Sequence, residues 1–228
     1  MTWRHFAAAA AIVSLAVAAA SPVCAQTKKA AASASAASTS SAASSASAAS
    51  AAGAAVYAER FRTVCAACHG VDGRSDMPGT PVLAGQHSLY AITQLFLFRE
   101  GRRKNEAMIA VAKQMTDTDL RGFSDFIGTL PPVAAPLPAA PLDSARMNKA
   151  EVLAKEYKCV FCHGTDLAGG QGVPRIGGQK EDYVRGTLQG FKSGDRPGYT
   201  RAMTEALSQV PPDDLALLAY YVANLTGK

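Results

Sequence analysis

Two stretches, "CAACHG" (65–70) and "CVFCHG" (159–164), each place two thiols and an imidazole within five residues. Working outward from them, the chain matches itself at an offset of 93 to 95 positions. Downstream, "TPVLAGQ" (80–86) meets "VPRIGGQ" (173–179), and Tyr90, Leu95, Phe98 and Gly101 meet Tyr183, Leu188, Phe191 and Gly194. After a small gap, Met108 meets Met203, and Asp119 and Leu120 meet Asp214 and Leu215. Such self-similarity is an internal duplication, and each copy is expected to be one folding unit.

Each copy reads as helical. One helix runs into the CxxCH, a second spans about Ser88 to Gly101 or Lys180 to Gly194, and a third about Asp117 to Leu130 or Pro212 to Leu225. Thr116 and Pro211 stand where helix starts belong, each followed by acidic residues that suit the positive end of the helix dipole. No alternating pattern of useful length predicts a strand, so the expected fold is all-α. Between the copies, "PPVAAPLPAAPLD" (131–143) has too many prolines to continue a helix and reads as an extended connection. The expected organisation is therefore a first domain over 56–130, a linker over 131–143 and a second domain over 144–228.

The first 55 residues are of another kind. A basic start with Arg4, the apolar run "FAAAAAIVSLAVAAA" and the small-residue site "VCA" read as a secretory signal over 1–25. The competing reading is an uncleaved membrane anchor, although the run is short and Ala-rich for a span. Residues 26–55 are almost all Ala and Ser, with no apolar stripe to bury, and read as a disordered linker; a loosely helical spacer is the alternative. The net charge of +5 falls to about +2 once Arg4, Lys28 and Lys29 are set aside. No basic run interleaved with aromatics is present, so nucleic acid is not an expected partner.

Without the leader, every cysteine belongs to a CxxCH. Two thiols at this spacing on a helical turn can add across the two vinyl groups of one haem and leave the following His as the proximal iron ligand. Zinc would need a fourth ligand that neither copy offers, and a redox dithiol would need a βαβ context that is absent. The expected cofactors are thus two covalently bound haem c groups, on Cys65 and Cys68 and on Cys159 and Cys162, with His69 and His163 as iron ligands.

Both copies resemble class I cytochrome c domains, and the pair resembles the di-haem cytochrome c4 family. The resemblance rests on "CAACHGVDG", "LAGQHSLYAITQLFLFREG" and "MTDTDLRGFSDFIGTL" in the first copy. In the second it rests on "CVFCHG", "IGGQKEDYVRGTLQGFKSG" and "VPPDDLALLAYYVANL". The Ala/Ser stretch is longer, and the interdomain link richer in proline, than the family pattern.

A thioether opposite His favours ferrous iron and closes it to small ligands. Met77, Met108 and Met115 compete for this place in the first copy. Only Met108, with Met203 as its counterpart, respects the duplication, and the family places its ligand there. Met115 corresponds to Val210 and reads as packing. His87 corresponds to Lys180 and reads as a surface residue near a helix start. Pro81 and Pro174 match the position whose carbonyl, in class I cytochromes, accepts the proton of the ligating imidazole. Arg103 and Arg196 recur and read either as partners of haem propionates or as residues of a solvated face. Tyr90 and Tyr183 read as packing against haem or the other domain.

The resemblance implies electron transfer outside the cytoplasm rather than catalysis, with a quinol:cytochrome c oxidoreductase as donor and a terminal oxidase as acceptor. Docking is expected on small apolar patches near the haem edges, with modest salt dependence. The alternatives are an electron-transfer subunit of a periplasmic dehydrogenase, a di-haem enzyme such as a peroxidase or thiosulfate-oxidising cytochrome, and a gas sensor. The location is the periplasm, with loose membrane association if the leader is retained.

Overall fold

The computed structural model describes residues 52–133, 141–196 and 200–225. The expected leader, nearly all of the Ala/Ser stretch and the middle of the proline-rich link lie outside the described residues. Helix α1 (52–60) continues through a π-helical turn, Phe61–Cys65, into α2 (Ala66–His69). Gly70 ends it at φ 77°, a left-handed value that glycine adopts without strain. After a loop come α3 (Ser88–Arg99), α4 (Glu106–Ala112) and α5 (Asp117–Thr129). The second half repeats the order with α6 (Ser144–Glu156), α7 (Cys159–His163), α8 (Glu181–Ser193), α9 (Ala202–Leu207) and α10 (Pro212–Asn224). Among the described residues there is no strand, only an isolated bridge between Gly170 and Val173.

The long helices start and stop within two residues of the expected positions. The short α4 and α9 are additions, and they carry Met108 and Met203. Asn105 explains the start of α4: its side chain accepts a hydrogen bond from the Met108 amide at 2.9 Å, satisfying one of the donors a helix start leaves open.

Each half has its own core. In the first, α3 packs on α5 and α4, and Leu95, Met115, Leu120 and Phe123 form one buried cluster beside a second of Phe61, Ala91 and Ile127. In the second, α10 packs on α6 and α8. Ala150, Ala154 and Ala219 are at most 1% exposed, so small side chains let those helices approach closely. Gly122 does the same in the first half, where an added Cβ would lie 2.0 Å from the Tyr57 ring. Met115 and its counterpart Val210 both sit in these cores.

Asp119 locks α1 onto the start of α5. It closes a capping box with Thr116, accepts from the Tyr57 hydroxyl at 3.1 Å and pairs with Arg60. Arg60, the Thr116 amide and hydroxyl, and Tyr57 together outweigh its partial desolvation, so its carboxyl titrates well below the usual range. The counterpart Asp214 accepts from Tyr157 at 2.8 Å, an interaction that, with desolvation, pushes the Tyr157 phenol up to about 12.

A depressed carboxyl pKa contributes stability that is present above the unfolded value, about 4, and lost as pH falls below it. Asp119→Asn is therefore expected to cost about 1–2 kcal/mol at pH 7. The gap between its thermal midpoint and that of the unmodified protein should hold down to about pH 4 and narrow progressively below it. A constant gap between the two melting curves from pH 7 to pH 3 would refute this.

The halves meet through a reciprocal pair of amides. Gln86 donates to the Arg175 carbonyl and accepts from the Arg175 amide, both at 3.0 Å. Gln179 donates to the Val82 carbonyl at 2.9 Å and accepts from the Val82 amide at 2.8 Å. Val82 and Arg175 are equivalent positions, as are Gln86 and Gln179, so the junction has a local pseudo-two-fold axis. His87 belongs to it. It is half-buried at the N-terminus of α3 and bonds through Nε2 to the Ala168 carbonyl at 2.9 Å, so the expectation of a surface residue is corrected. Its counterpart Lys180 donates to the Met77 carbonyl.

Candidate haem sites

His69 and His163 are each only 6% exposed. The ring Nδ1 of His69 lies 3.1 Å from the Pro81 carbonyl, and that of His163 lies 3.0 Å from the Pro174 carbonyl. A carbonyl only accepts, so Nδ1 carries the proton in both rings and each Nε2 keeps its lone pair for a metal. Burial lowers both imidazole pKa values despite these hydrogen bonds, which keeps the rings neutral and ready to ligate. The loop after the first CxxCH is pinned by the Ser75 hydroxyl, which donates to the Cys68 carbonyl at 2.7 Å. In the second half the Gly169 amide, donating to the His163 carbonyl at 2.8 Å, does similar work.

All four thiols are free. In each motif the first cysteine is half-buried and the second exposed. Burial pushes the Cys65 thiol up to about 11 and raises Cys159 as well, opposite to the lowered pKa that a redox-active dithiol needs. Among the described residues no three His, Cys, Asp or Glu side chains converge as a metal ion would require. Met108 packs on the same cluster as Cys65, and Met203 on the same cluster as Cys159. Each half thus contains a neutral buried imidazole, two unpaired thiols and a thioether packed on its core. That donor set fits a haem attached through two sulfurs with nitrogen and sulfur available to its iron. Met77 is half-exposed and lies outside these clusters.

Arg103 and Arg196 are not on a solvated face. Arg103 donates to Gln94 at 2.7 Å and, across the junction, to the Tyr183 hydroxyl at 2.9 Å, with Phe98 stacked 4.3 Å from its guanidinium. Arg196 donates to Thr187 at 2.9 Å and to the same hydroxyl at 3.3 Å, with Phe191 beneath it. Burial alone would raise the Tyr183 phenol, but the two guanidinium charges outweigh it and draw it down. No carboxylate pairs with either arginine among the described residues. A buried and a half-buried cation held by neutral partners, with no carboxylate beside them, are poorly compensated, which suits them to further anionic groups.

Residues 50–131 match the cytochrome c family model. Cytochrome c4 of Thiocapsa roseopersicina is 31% identical over 169 residues, an alignment spanning 72% of this chain and 88% of that one. The chain belongs to the cytochrome c4 family. Consistent with this, the structure of reduced recombinant cytochrome c4 from Pseudomonas stutzeri superposes with a TM-score of 0.67 at 27% identity, covering 75% of this chain and 97% of that one. Another relative, the thiosulfate dehydrogenase electron acceptor of Thiomonas intermedia, is 28% identical over 164 residues, 64% of this chain and 76% of that one.

The chain accordingly has the all-α class I cytochrome c fold, carries two covalently bound haem c groups and transfers electrons. Each haem supplies one iron that cycles between ferric and ferrous. Among the described residues no helix is long and apolar enough to cross a membrane.

Proposed function

We infer that this protein is a periplasmic carrier of single electrons from a quinol:cytochrome c oxidoreductase to a terminal oxidase. Cys65 and Cys68 hold one haem and Cys159 and Cys162 the other. His69 and Met108 ligate the first iron, and His163 and Met203 the second. The domains are 56–130 and 144–228, joined by 131–143, behind a signal over 1–25 and a linker over 26–55. The observation carrying this reading is the recurrence of one buried imidazole geometry, with Nδ1–H held by the Pro81 or Pro174 carbonyl. That hydrogen bond fixes the ring and strengthens Nε2 as a donor.

Ligands that do not move on reduction keep the geometry of both oxidation states alike, which suits electron carriage rather than bond-making. Arg103 and Arg196 would hold the haem propionates, and guanidinium-to-carboxylate bonds there would balance the charge of the junction. The experiment is the absorption spectrum of the exported protein, ferric and then reduced, with and without carbon monoxide. The expected result is a sulfur-to-iron charge-transfer band in the ferric form and reduced haems that do not bind carbon monoxide. A haem that lacks the band and binds carbon monoxide would overturn the closed-iron assignment.

A second reading is favoured by the similarity to the Thiomonas electron acceptor: delivery from a periplasmic dehydrogenase, with thiosulfate as the electron source. Reduction of this protein by a purified thiosulfate dehydrogenase, measured by stopped flow, separates the two. Rates that saturate at micromolar protein would favour the dehydrogenase as partner.

A further inference from the structure

The duplication makes each half a reference for the other, and around the CxxCH helices the comparison shows a difference in surface chemistry. At three equivalent exposed positions the first half has Val64, Ala67 and Val71, and the second has Lys158, Phe161 and Thr165. Phe161 is 87% exposed, more than any other large apolar side chain described, and Val71 is 71% exposed. Each trio flanks its CxxCH turn, with the first residue just before the first cysteine, the second between the cysteines and the third just past the glycine that ends the helix.

Phe161 stands two residues before His163, about 200° around the helix from the buried imidazole. It therefore points away from the side on which His163 is buried, while remaining next to Cys162. Its amide donates to the Lys158 carbonyl at 3.1 Å, and Lys158 itself holds a left-handed conformation at φ 58°, so both residues project from one hydrogen-bonded turn. No carboxylate pairs with Lys158 among the described residues. Alanine at the equivalent position of the first half shows that this turn folds without the ring. An exposed aromatic three residues from an unpaired cation on one turn has the composition of an interface anchor rather than of a packing residue.

We propose that Lys158 and Phe161 form a docking face for an electron-transfer protein whose contact patch is apolar and rimmed by carboxylates. The equivalent face of the first half, at Val64, Ala67 and Val71, accepts an apolar patch without selecting for charge. The proposal rests on the reading that each CxxCH carries its haem. A partner seated on Phe161 then lies one residue from a haem-bearing sulfur. Charge complementarity at Lys158 speeds encounter, and Phe161 supplies the apolar centre.

The test uses the holoprotein in voltammetry on gold, with a mixed monolayer of carboxylate- and methyl-terminated alkanethiolates as the probe. Lys158→Glu and Phe161→Ser are each expected to slow electron exchange at least about fivefold, and Lys158→Glu should abolish its decline with added salt. Val71→Ser should leave exchange on this surface unchanged. On a methyl-only surface Lys158→Glu should exchange as fast as the unmodified protein. Unchanged rates in Lys158→Glu and Phe161→Ser, or an equal loss in Val71→Ser, would overturn the proposal. All variants alter exposed side chains, and their haem spectra and melting curves check that the fold is retained. Two covalent haems persisting after Cys159→Ser with Cys162→Ser would instead overturn the underlying site assignment.

Discussion

Replacing Cys159 and Cys162 together with serine is expected to halve the covalently bound haem, from two per chain to one, and to unfold the second half. Cys159 and Val160 pack directly on the core formed by Ala150, Ala154, Leu215 and Ala219. Most side chains of α6 and α7 are exposed or only half-buried, with Ala150, Ala154 and His163 the buried exceptions. A unit of this size has little apolar core to spare, and its net stability is on the order of 5 kcal/mol. Losing a large apolar cofactor removes more than that. The measurement is haem per chain by pyridine haemochrome, paired with calorimetry. One haem and the disappearance of one unfolding transition is the expected result. Two covalent haems, or one haem with both transitions intact, would show that the cofactor is not integral to the second core.

The same variant reports on the junction. Gln179 and Tyr183 belong to the second half, yet they hold Val82 and Arg103 of the first. Unfolding around His163 would release these bonds, so the first half should melt earlier than in the unmodified protein rather than at its original midpoint.

Much of this arrangement is legible without coordinates because the chain is written twice. The long helices follow from recurring apolar positions and from Thr116 and Pro211, and the imidazole sites follow from CxxCH with Pro81 and Pro174 downstream. The short helices α4 and α9 are missed because seven and six residues span under two turns, too few for a period to appear. The visible signal was Asn105, a good N-cap, ahead of Glu106 and a run of helix formers.

The junction is harder to read, for a different reason. Repetition shows that Gln86 and Gln179 matter, but not that each reaches the backbone of the other copy. A local pseudo-two-fold axis turns equivalent residues into mutual partners, and that relation is not written in either copy alone. His87 is misplaced for the same reason, and the solvated-face reading of Arg103 fails for it too. Each resembles a surface residue when its own half is considered, and each finds its partner across the junction, at Ala168 and Tyr183.

Met108→Ala and Met203→Ala, made separately, are expected to open one iron at a time. Met108 and Met203 are half-buried residues on short helices, each packed on its own core, so truncation removes a thioether without breaking a long helix. A cavity of this kind costs about 2–4 kcal/mol, and each variant should melt earlier by that margin. The larger effect is electronic. Loss of a soft sulfur donor disfavours the ferrous state, and axial ligands set haem potentials over a span of about 0.8 V. A fall on the order of 100 mV or more is expected for the affected haem. Half of the charge-transfer band should vanish, and carbon monoxide should bind one haem per chain. Because the sites lie in separate cores, the two variants should affect different steps of a potentiometric titration. A variant that melts earlier but keeps the full band and both potentials would make that methionine a packing residue, and would return Met77 and Met115 to consideration for the first iron.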